Sequence, residues 1–519
     1  MMKNRDLQAT WAYHNGTKHS NESIRTNRHY LDWENQPIPF KIYSELKPIP
    51  LPQQLSSSGT TALEAISSLE APTKDQVVPS IQTLAEILYL SAGITKRRSY
   101  PGGEILFRAA ACTGALYHID LYLVCGDLLG LNAGVYHFGP QDFALRRLRA
   151  GDYRNALVQA SGREPAIANA PAIIVCSSTY WRNAWKYQSR AYRHCYWDTG
   201  TILANLLAAA DARHTPARIV LGFVDDAVSR LLSLETTREG ALTLVALGNA
   251  PSQARGASPP VAPLTFDAPL SKTEVDYPAI KAMHEASSLE SEAEVIDWRS
   301  RTLGNPSTLT GRPIPIAKDR LIALQPLGDD EIPRDSLEDV IQRRGSTRQF
   351  SRESISFRQL STMLDQATRG VPADFLRPEE VPLNDLYLIV HAVEDLAPGA
   401  YVFHRDSRAL ELLKEGDFRR QAGYLGLGQE IPADCSVDVF FLTDLNRTLE
   451  RCGNRGYRAA QLEASIMGGK LYLAAYAQGL GASGLTFFDD DVTEFFSPHA
   501  AGKSVMFLLA IGKSVKRKM

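Results

Sequence analysis

The sequence repeats itself at a fixed offset. Asp120-Leu-Tyr-Leu recurs 265 residues later as Asp385-Leu-Tyr-Leu, and Gly134-Val-Tyr-His-Phe recurs as Gly399-Ala-Tyr-Val-Phe at the same spacing. Gly151-Asp-Tyr-Arg returns as Gly416-Asp-Phe-Arg, and Arg190-Ala-Tyr-Arg as Arg455-Gly-Tyr-Arg. Over 120–157 and 385–422 the two stretches share 14 identities in 38 ungapped positions. A period this long does not describe a solenoid, so one domain-sized unit is used twice.

Both copies show one coarse pattern. A helix (Ile81–Gly93; Phe357–Arg369) precedes a strand (Leu121–Cys125; Leu386–His391), a turn and a second strand (Val135–Phe138; Ala400–Phe403). Ala172–Ser177 and Val437–Thr443 have the β-branched and aromatic content of buried strands. Apolar helices follow, at Asp198–Ala212 and Gln461–Gln478, and each copy closes on an apolar strand, Ala241–Leu247 or Ser504–Ile511. Strands with hairpin spacing followed by helices predict an α+β class rather than a doubly wound sheet.

The 519 residues exceed what two such units need. Residues 1–75, with Trp11, Trp33 and a proline-rich stretch from Gln36 to Pro52, read as an extended arm that could bind a leader peptide, cover a site or mediate dimerisation. Residues 76–250 form the first unit and 336–519 the second. The intervening 251–335, with one expected helix at Tyr277–Leu289, is too long for a plain tether and is expected to wrap both units.

Net charge is −2 and the pI about 6.6, which gives no electrostatic basis for binding nucleic acid or an anionic membrane. The N-terminus lacks an apolar core, and no apolar run approaches the roughly 20 residues that span a bilayer. A soluble, cytoplasmic protein is expected. Six cysteines lie scattered without a Cys-x-x-Cys pair, and His14, His19 and His29 lack ligand spacing, so neither a disulfide scaffold nor a metal is expected.

The copies differ where chemistry could reside. Copy two opens with Arg343-Arg-Gly-Ser-Thr-Arg-Gln-Phe350, in which Arg344, Ser346 and Arg348 offer guanidinium forks and a neutral donor to a phosphate. A solvated basic turn is the competing reading. Copy one has no counterpart, since Ser68 aligns with Arg344. It instead carries about eleven extra residues coinciding with Arg108-Ala-Ala-Ala-Cys-Thr-Gly-Ala-Leu-Tyr-His118. That stretch is either a loop small enough for close approach to a flat ligand or a tight entry to a strand. Copy two ends in a basic tail that includes Lys513 and Lys516. Gly479-Leu-Gly-Ala-Ser-Gly484 matches a dinucleotide fingerprint but follows a helix rather than a strand, so Gly479 reads as a helix cap and Gly481–Gly484 as a bend. Asp489-Asp-Asp491 reads as a helix N-terminus.

At these residues the chain resembles the flavin-dependent nitroreductase superfamily, and within it the SagB/ThcOx-type azoline dehydrogenases. The resemblance covers roughly 76–250 and 336–516. It implies that Arg344, Ser346, Arg348 and Lys513 hold the FMN phosphate, although Gly345 intervenes before the serine. It implies that Arg108, Cys112, Thr113, Gly114 and Ala115 form the loop lying along the flavin, with Ala111 and His118 where prolines are expected. Gly481 and Gly484 resemble the segment that approaches the isoalloxazine.

Two fused nitroreductase-like domains would then form a pseudo-dimer within one chain, with one complete composite site, one FMN and an empty symmetry mate. The resemblance extends to Trp185-Lys-Tyr-Gln-Ser-Arg-Ala-Tyr-Arg193, where Lys186 and Tyr187 match a catalytic pair that copy two replaces by Arg451 and Cys452. Oxidising an azoline removes a hydride and a proton, so Lys186 would act as base and Tyr187 would orient the substrate or relay the proton. Arg190, Tyr192, Arg193 and Asp198 read as structural. The implied function is an FMN-dependent oxidoreductase acting on a peptide- or carrier-bound heterocycle, with oxygen as acceptor and biosynthetic enzymes as partners. An NAD(P)H-dependent nitro- or quinone reductase and a flavin-free scaffold or peptide-binding partner are the alternatives. Further homodimerisation is left open.

Overall fold

The computed structural model describes residues 3–68, 75–100, 103–250, 256–264, 269–302, 321–328, 330–376 and 382–515. Two seven-stranded sheets dominate it. The spatial order in the first is Pro48–Pro50, Ala144–Ala150, Gly134–Gly139, Ile119–Cys125, Ala172–Thr179, Glu239–Leu247 and Ala217–Val220. The second runs Leu321–Ala323, Ala409–Glu415, Gly399–His404, Asn384–Val390, Val437–Thr443, Ser504–Gly512 and Gly481–Leu485. All these pairings are antiparallel, and the register repeats as well: Cys125 faces Ala172 as Val390 faces Val437. The central strands Ala172–Thr179 and Val437–Thr443 are buried along their whole length, which explains their unbroken apolar runs. Each sheet takes one edge strand from a connecting segment, the arm in one case and the linker in the other.

The two units meet along the helices Ala191–Asp211 and Arg455–Ala477. Gly200 and Ser465 occupy equivalent positions of the repeat and touch: a β-carbon on Gly200 would lie 1.9 Å from Ser465 Oγ. Ala204 and Gly469 are likewise equivalent, and a β-carbon on Gly469 would sit 2.5 Å from that of Ala204. Equivalent residues in contact mark a two-fold axis, here an internal one. Reciprocal ion pairs flank it. Arg190 and Arg193 of the first unit reach Asp489 of the second at 2.9 and 2.5 Å, and Arg455 and Arg458 of the second reach Asp225 of the first, both at 2.7 Å. Both carboxylates lie in the first turn of a helix, as the Asp489-Asp-Asp491 run suggested, although the N-cap itself is Phe488.

Several boundaries differ from the sequence reading. Both long helices begin seven and six residues before the expected starts at Asp198 and Gln461, because their first turns bury arginines and tyrosines that interrupt the apolar pattern. The arm is not extended throughout. Leu7–Gly16 is a helix that buries Thr10, Tyr13 and His14, and Asn21–Thr26 and Ala62–Ser67 are helices with side-chain caps. Copy one's insertion has the expected net length of about eleven residues, since Ile81 and Phe357 differ by 276 and Ile119 and Asn384 by 265, but it includes a hairpin, Ile94–Tyr100 with Gly103–Arg108, whose exposed basic and apolar residues gave no clear alternation. Gly481–Leu485 is an edge strand rather than a bend.

The linker touches both units. Arg299 donates to Ser161 O in the first at 2.5 Å, and Trp298 Nε1 donates to Cys452 O in the second at 2.9 Å. The expected helix there spans Pro278–Ala286. The basic tail beyond Val515, including Lys516, lies outside the described residues. No described helix is long and apolar enough to cross a membrane, and all six cysteines are free.

Candidate active site

Lys186 and Tyr187 lie in the last turn of the helix Tyr180–Tyr187. Gln188 follows with φ +50°, the same reversal that Gly453 makes at φ +65° in copy two, and the chain then enters the long helix. Desolvation and the positive charge of Arg348 both lower the Lys186 pKa. Burial, reinforced by Asp198 and Cys112, pushes the Tyr187 phenol up, so it stays protonated.

The small-residue loop is built on Asp198, whose carboxylate accepts from Thr113 N (2.9 Å), Thr113 Oγ1 (2.8 Å), His118 Nε2 (2.9 Å) and Cys112 Sγ (3.0 Å). Four donors on one carboxylate fix the loop from Cys112 to His118, and His118 does so where a proline was expected. Gly114 sits at φ +62°, and a β-carbon there would come within 2.8 Å of Tyr187 Oη. Only glycine therefore allows the loop and the phenol to meet.

Copy two's arginines reach this loop. Arg344 donates through Nε to Ala109 O (3.0 Å) and through Nη2 to Arg108 O (2.9 Å), so one edge of its guanidinium fastens the two units together. Arg348 and Ser346 are exposed, and Arg348 has no hydrogen-bond partner among the described residues. Ser346 Oγ lies 3.3 Å from Tyr472 Oη, which also accepts from Gly484 N at 2.5 Å. Tyr472 was missed because one aromatic residue in an apolar helix has no distinguishing pattern.

Other expected residues do different work. The Arg108 guanidinium is buried, donates to Pro39 O at 2.6 Å and lies over the Phe40 and Tyr117 rings, so its backbone carbonyl alone faces copy two. Gly481 is packed against Thr347 and Ser514, where a β-carbon would lie 2.2 and 2.1 Å from their hydroxyls. Lys513 pairs with Glu353 at 3.5 Å, and no contact joins it to Arg344, Ser346 or Arg348 among the described residues. Ala115, at φ +54°, completes the turn after Gly114.

The symmetry-related position is built differently. Ile219 is the counterpart of Gly484. Its N–H donates to Pro372 O (2.9 Å) and its carbonyl accepts from Asp374 N (3.0 Å), so copy two's own chain covers that strand edge. Asp374 also accepts from the N–H groups of Leu221 and Gly222 at 2.8 and 2.9 Å. Trp298 is buried against Gly222 and Cys452, the latter being the counterpart of Tyr187. Gly484, by contrast, is exposed. Where Pro372–Asp374 pairs with Ile219 through both of its backbone groups, Gly484 donates its N–H to the Tyr472 hydroxyl and the neighbouring Ala482 O accepts from Thr347 N, so no segment like Pro372–Asp374 pairs with Gly484 among the described residues.

Two units with this topology, joined across an internal two-fold axis with site residues from both, define a duplicated α+β fold. The chain belongs to the Nitroreductase family, whose family model matches residues 90–249 and 341–513. Among related proteins, the trifolitoxin-processing protein TfxB of Rhizobium leguminosarum bv. trifolii is 28% identical over 188 residues, 35% of this chain and 50% of that one. The microcin B17-processing protein McbC of Escherichia coli is 27% identical over 145 residues, 27% of this chain and 49% of that one. The chain thus spans about half the length of these two relatives. A candidate nitroreductase from Anabaena variabilis, known from a crystal structure, matches 98% of this chain and 99% of its own, with 25% identity and a TM-score of 0.73. The tandem arrangement as a whole therefore has a structural counterpart.

Proposed function

We propose that this chain is an FMN-dependent dehydrogenase that oxidises a heterocycle such as an azoline on a peptide or carrier, in natural-product or modified-peptide biosynthesis. The observation that carries this reading is that the Arg348 charge of one unit acts on Lys186 and Tyr187 of the other, while Ser346 and the exposed Gly484 share Tyr472 beside it. Similarity to proteins that process trifolitoxin and microcin B17 supports a peptide substrate and partner enzymes.

The residues present fit a flavin mononucleotide. Arg348, unpartnered among the described residues, and the exposed Ser346 hydroxyl suit a phosphate. Gly484 is exposed and brings no side chain, and the Gly114 turn supplies a wall without side chains. FMN, when bound, accepts a hydride.

Lys186 takes the accompanying proton. Its lowered pKa raises the fraction of neutral amine near neutral pH, and only the neutral amine is a base. Tyr187 keeps its proton and donates a hydrogen bond that orients the substrate. Asp198 acts through the loop it fastens. The arm closes the outer side: His29 meets Trp185 O at 2.9 Å, Trp185 Nε1 donates to Asp32 O at 3.0 Å, and Trp33 packs edge-on against Trp185. The arm thereby covers Trp185, next to the pair, while Lys186 and Tyr187 stay partly accessible.

The test is anaerobic reduction of the bound flavin. An azoline-containing peptide should bleach it and air should restore the colour. Bleaching by NADPH alone, with no response to azoline peptides, would favour a nitro- or quinone reductase.

A further inference from the structure

Copy two contains a polar cluster that plays no part in the site above. His391 follows the strand Asn384–Val390, while Cys435 and Asp438 flank the start of Val437–Thr443. Their candidate donor atoms all lie within 4.8 Å of one another, and His391 Nε2 is 3.0 Å from Asp438 Oδ2. The His391 and Asp438 side chains are fully buried, and so is Cys435. His391 Nδ1 and Asp438 Oδ1 have no hydrogen-bond partner among the described residues.

The repeat supplies the control. The equivalent positions of copy one hold Gly126, Ala170 and Ile173, in the same strand register. The fold therefore needs no polar group at any of the three places. Burying a donor or acceptor without a partner costs about 1–3 kcal/mol, so the two orphaned atoms, His391 Nδ1 and Asp438 Oδ1, call for a partner in this core. The segment that carries them is held in both halves: Arg419 donates to Ala433 O and Cys435 O at 2.6 and 3.2 Å, and its counterpart Arg154 donates to Ala170 O at 3.4 Å. The anchoring arginine is common to both copies, and the three side chains are not.

We propose that His391, Cys435 and Asp438 bind a zinc ion that braces the second unit. Imidazole, thiolate and carboxylate are ordinary zinc donors, and one thiolate with one carboxylate balances the 2+ charge inside a low-dielectric core. Pro432 O, which accepts from Cys435 Sγ at 3.3 Å, places a fourth oxygen beside the thiolate. On binding, the Cys435 proton leaves to solvent and a sulfur–zinc bond replaces the S–H. The ligands come from two separate stretches of chain, so no short motif announces them and the sequence reading expected no metal.

The test is metal analysis of the full chain, purified without chelator after growth with zinc. About one zinc per chain is expected, with one sulfur in its first shell by X-ray absorption. The triple variant His391→Gly, Cys435→Ala, Asp438→Ile carries copy one's own residues and should fold without zinc while keeping its flavin content. Zinc-free wild-type protein, zinc without a sulfur neighbour, or undiminished zinc in the triple variant would overturn the proposal.

Discussion

Arg344 in the second unit donates to the carbonyl oxygen of Ala109 in the first, at 3.0 Å. With the neighbouring bond to Arg108 O, this joins the two features that each copy lacks in the other, the basic turn and the small-residue loop. The proposed composite site follows from the internal two-fold axis only because the copies have diverged. On one side Gly484 is exposed and bonded through its N–H to Tyr472, and on the other Ile219 is covered by Pro372–Asp374.

Arg348→Ala should weaken FMN binding without harming the fold, since the side chain is exposed and makes no hydrogen bond among the described residues. A charge-assisted phosphate contact contributes about 1.5–3 kcal/mol, hence roughly a tenfold or greater loss of affinity. Fluorescence titration of apoprotein with FMN measures it. Arg344→Ala should in addition lower thermal stability, because it also cuts the tie between the units.

Lys186→Ala should retain flavin and slow turnover by about 10²–10⁴-fold. Desolvation and Arg348 hold the Lys186 pKa down, so the rate should rise with pH through a pKa below that of an ordinary lysine. Arg348→Gln removes the second cause. At saturating FMN, its rate profile should move to higher pH, which stopped-flow flavin reduction would detect; an unmoved profile would separate Lys186 from the base.

Asp489 and Asp225 should govern acid stability. Burial raises each carboxyl, but the paired arginines outweigh it, holding Asp225 at about 2 and Asp489 well below the usual range. A depressed carboxyl pKa stabilises above the unfolded value, near about 4, and that stability is lost as pH falls through the folded one. Unfolding should therefore set in below about pH 4 and deepen toward 2. Asp489→Ala leaves Arg190 and Arg193 buried without a counter-ion and should cost about 3–5 kcal/mol in denaturant melts.

Trp298→Ala should destabilise by about 3–5 kcal/mol while leaving the flavin-to-chain ratio unchanged. The indole is 1% exposed and fills the half in which Ile219 is covered rather than the one in which Gly484 is exposed.

The repeat carried most of the fold in readable form, because offsets between identical residues survive where periodicity fails. The starts of the long helices were hidden because Arg190, Arg193, Arg455 and Arg458 are buried, and a buried arginine looks like surface in a sequence. The hairpin Ile94–Arg108 was hidden because its residues are largely exposed on both faces. The clustering of Lys186, Gly114 and the 344–348 turn was legible from the way the copies differ. The direction of Arg108 and Lys513 was not, since both meet partners far along the chain: Arg108 at Pro39, and Lys513 at Glu353.

The most direct test of the composite site is the visible spectrum of the purified chain, read as flavin per polypeptide. The account predicts a yellow protein with about one FMN per chain after reconstitution, since Gly484 is exposed while its counterpart Ile219 is covered by Pro372–Asp374. A protein that stays colourless when FMN is added would contradict it, and so would one that binds two.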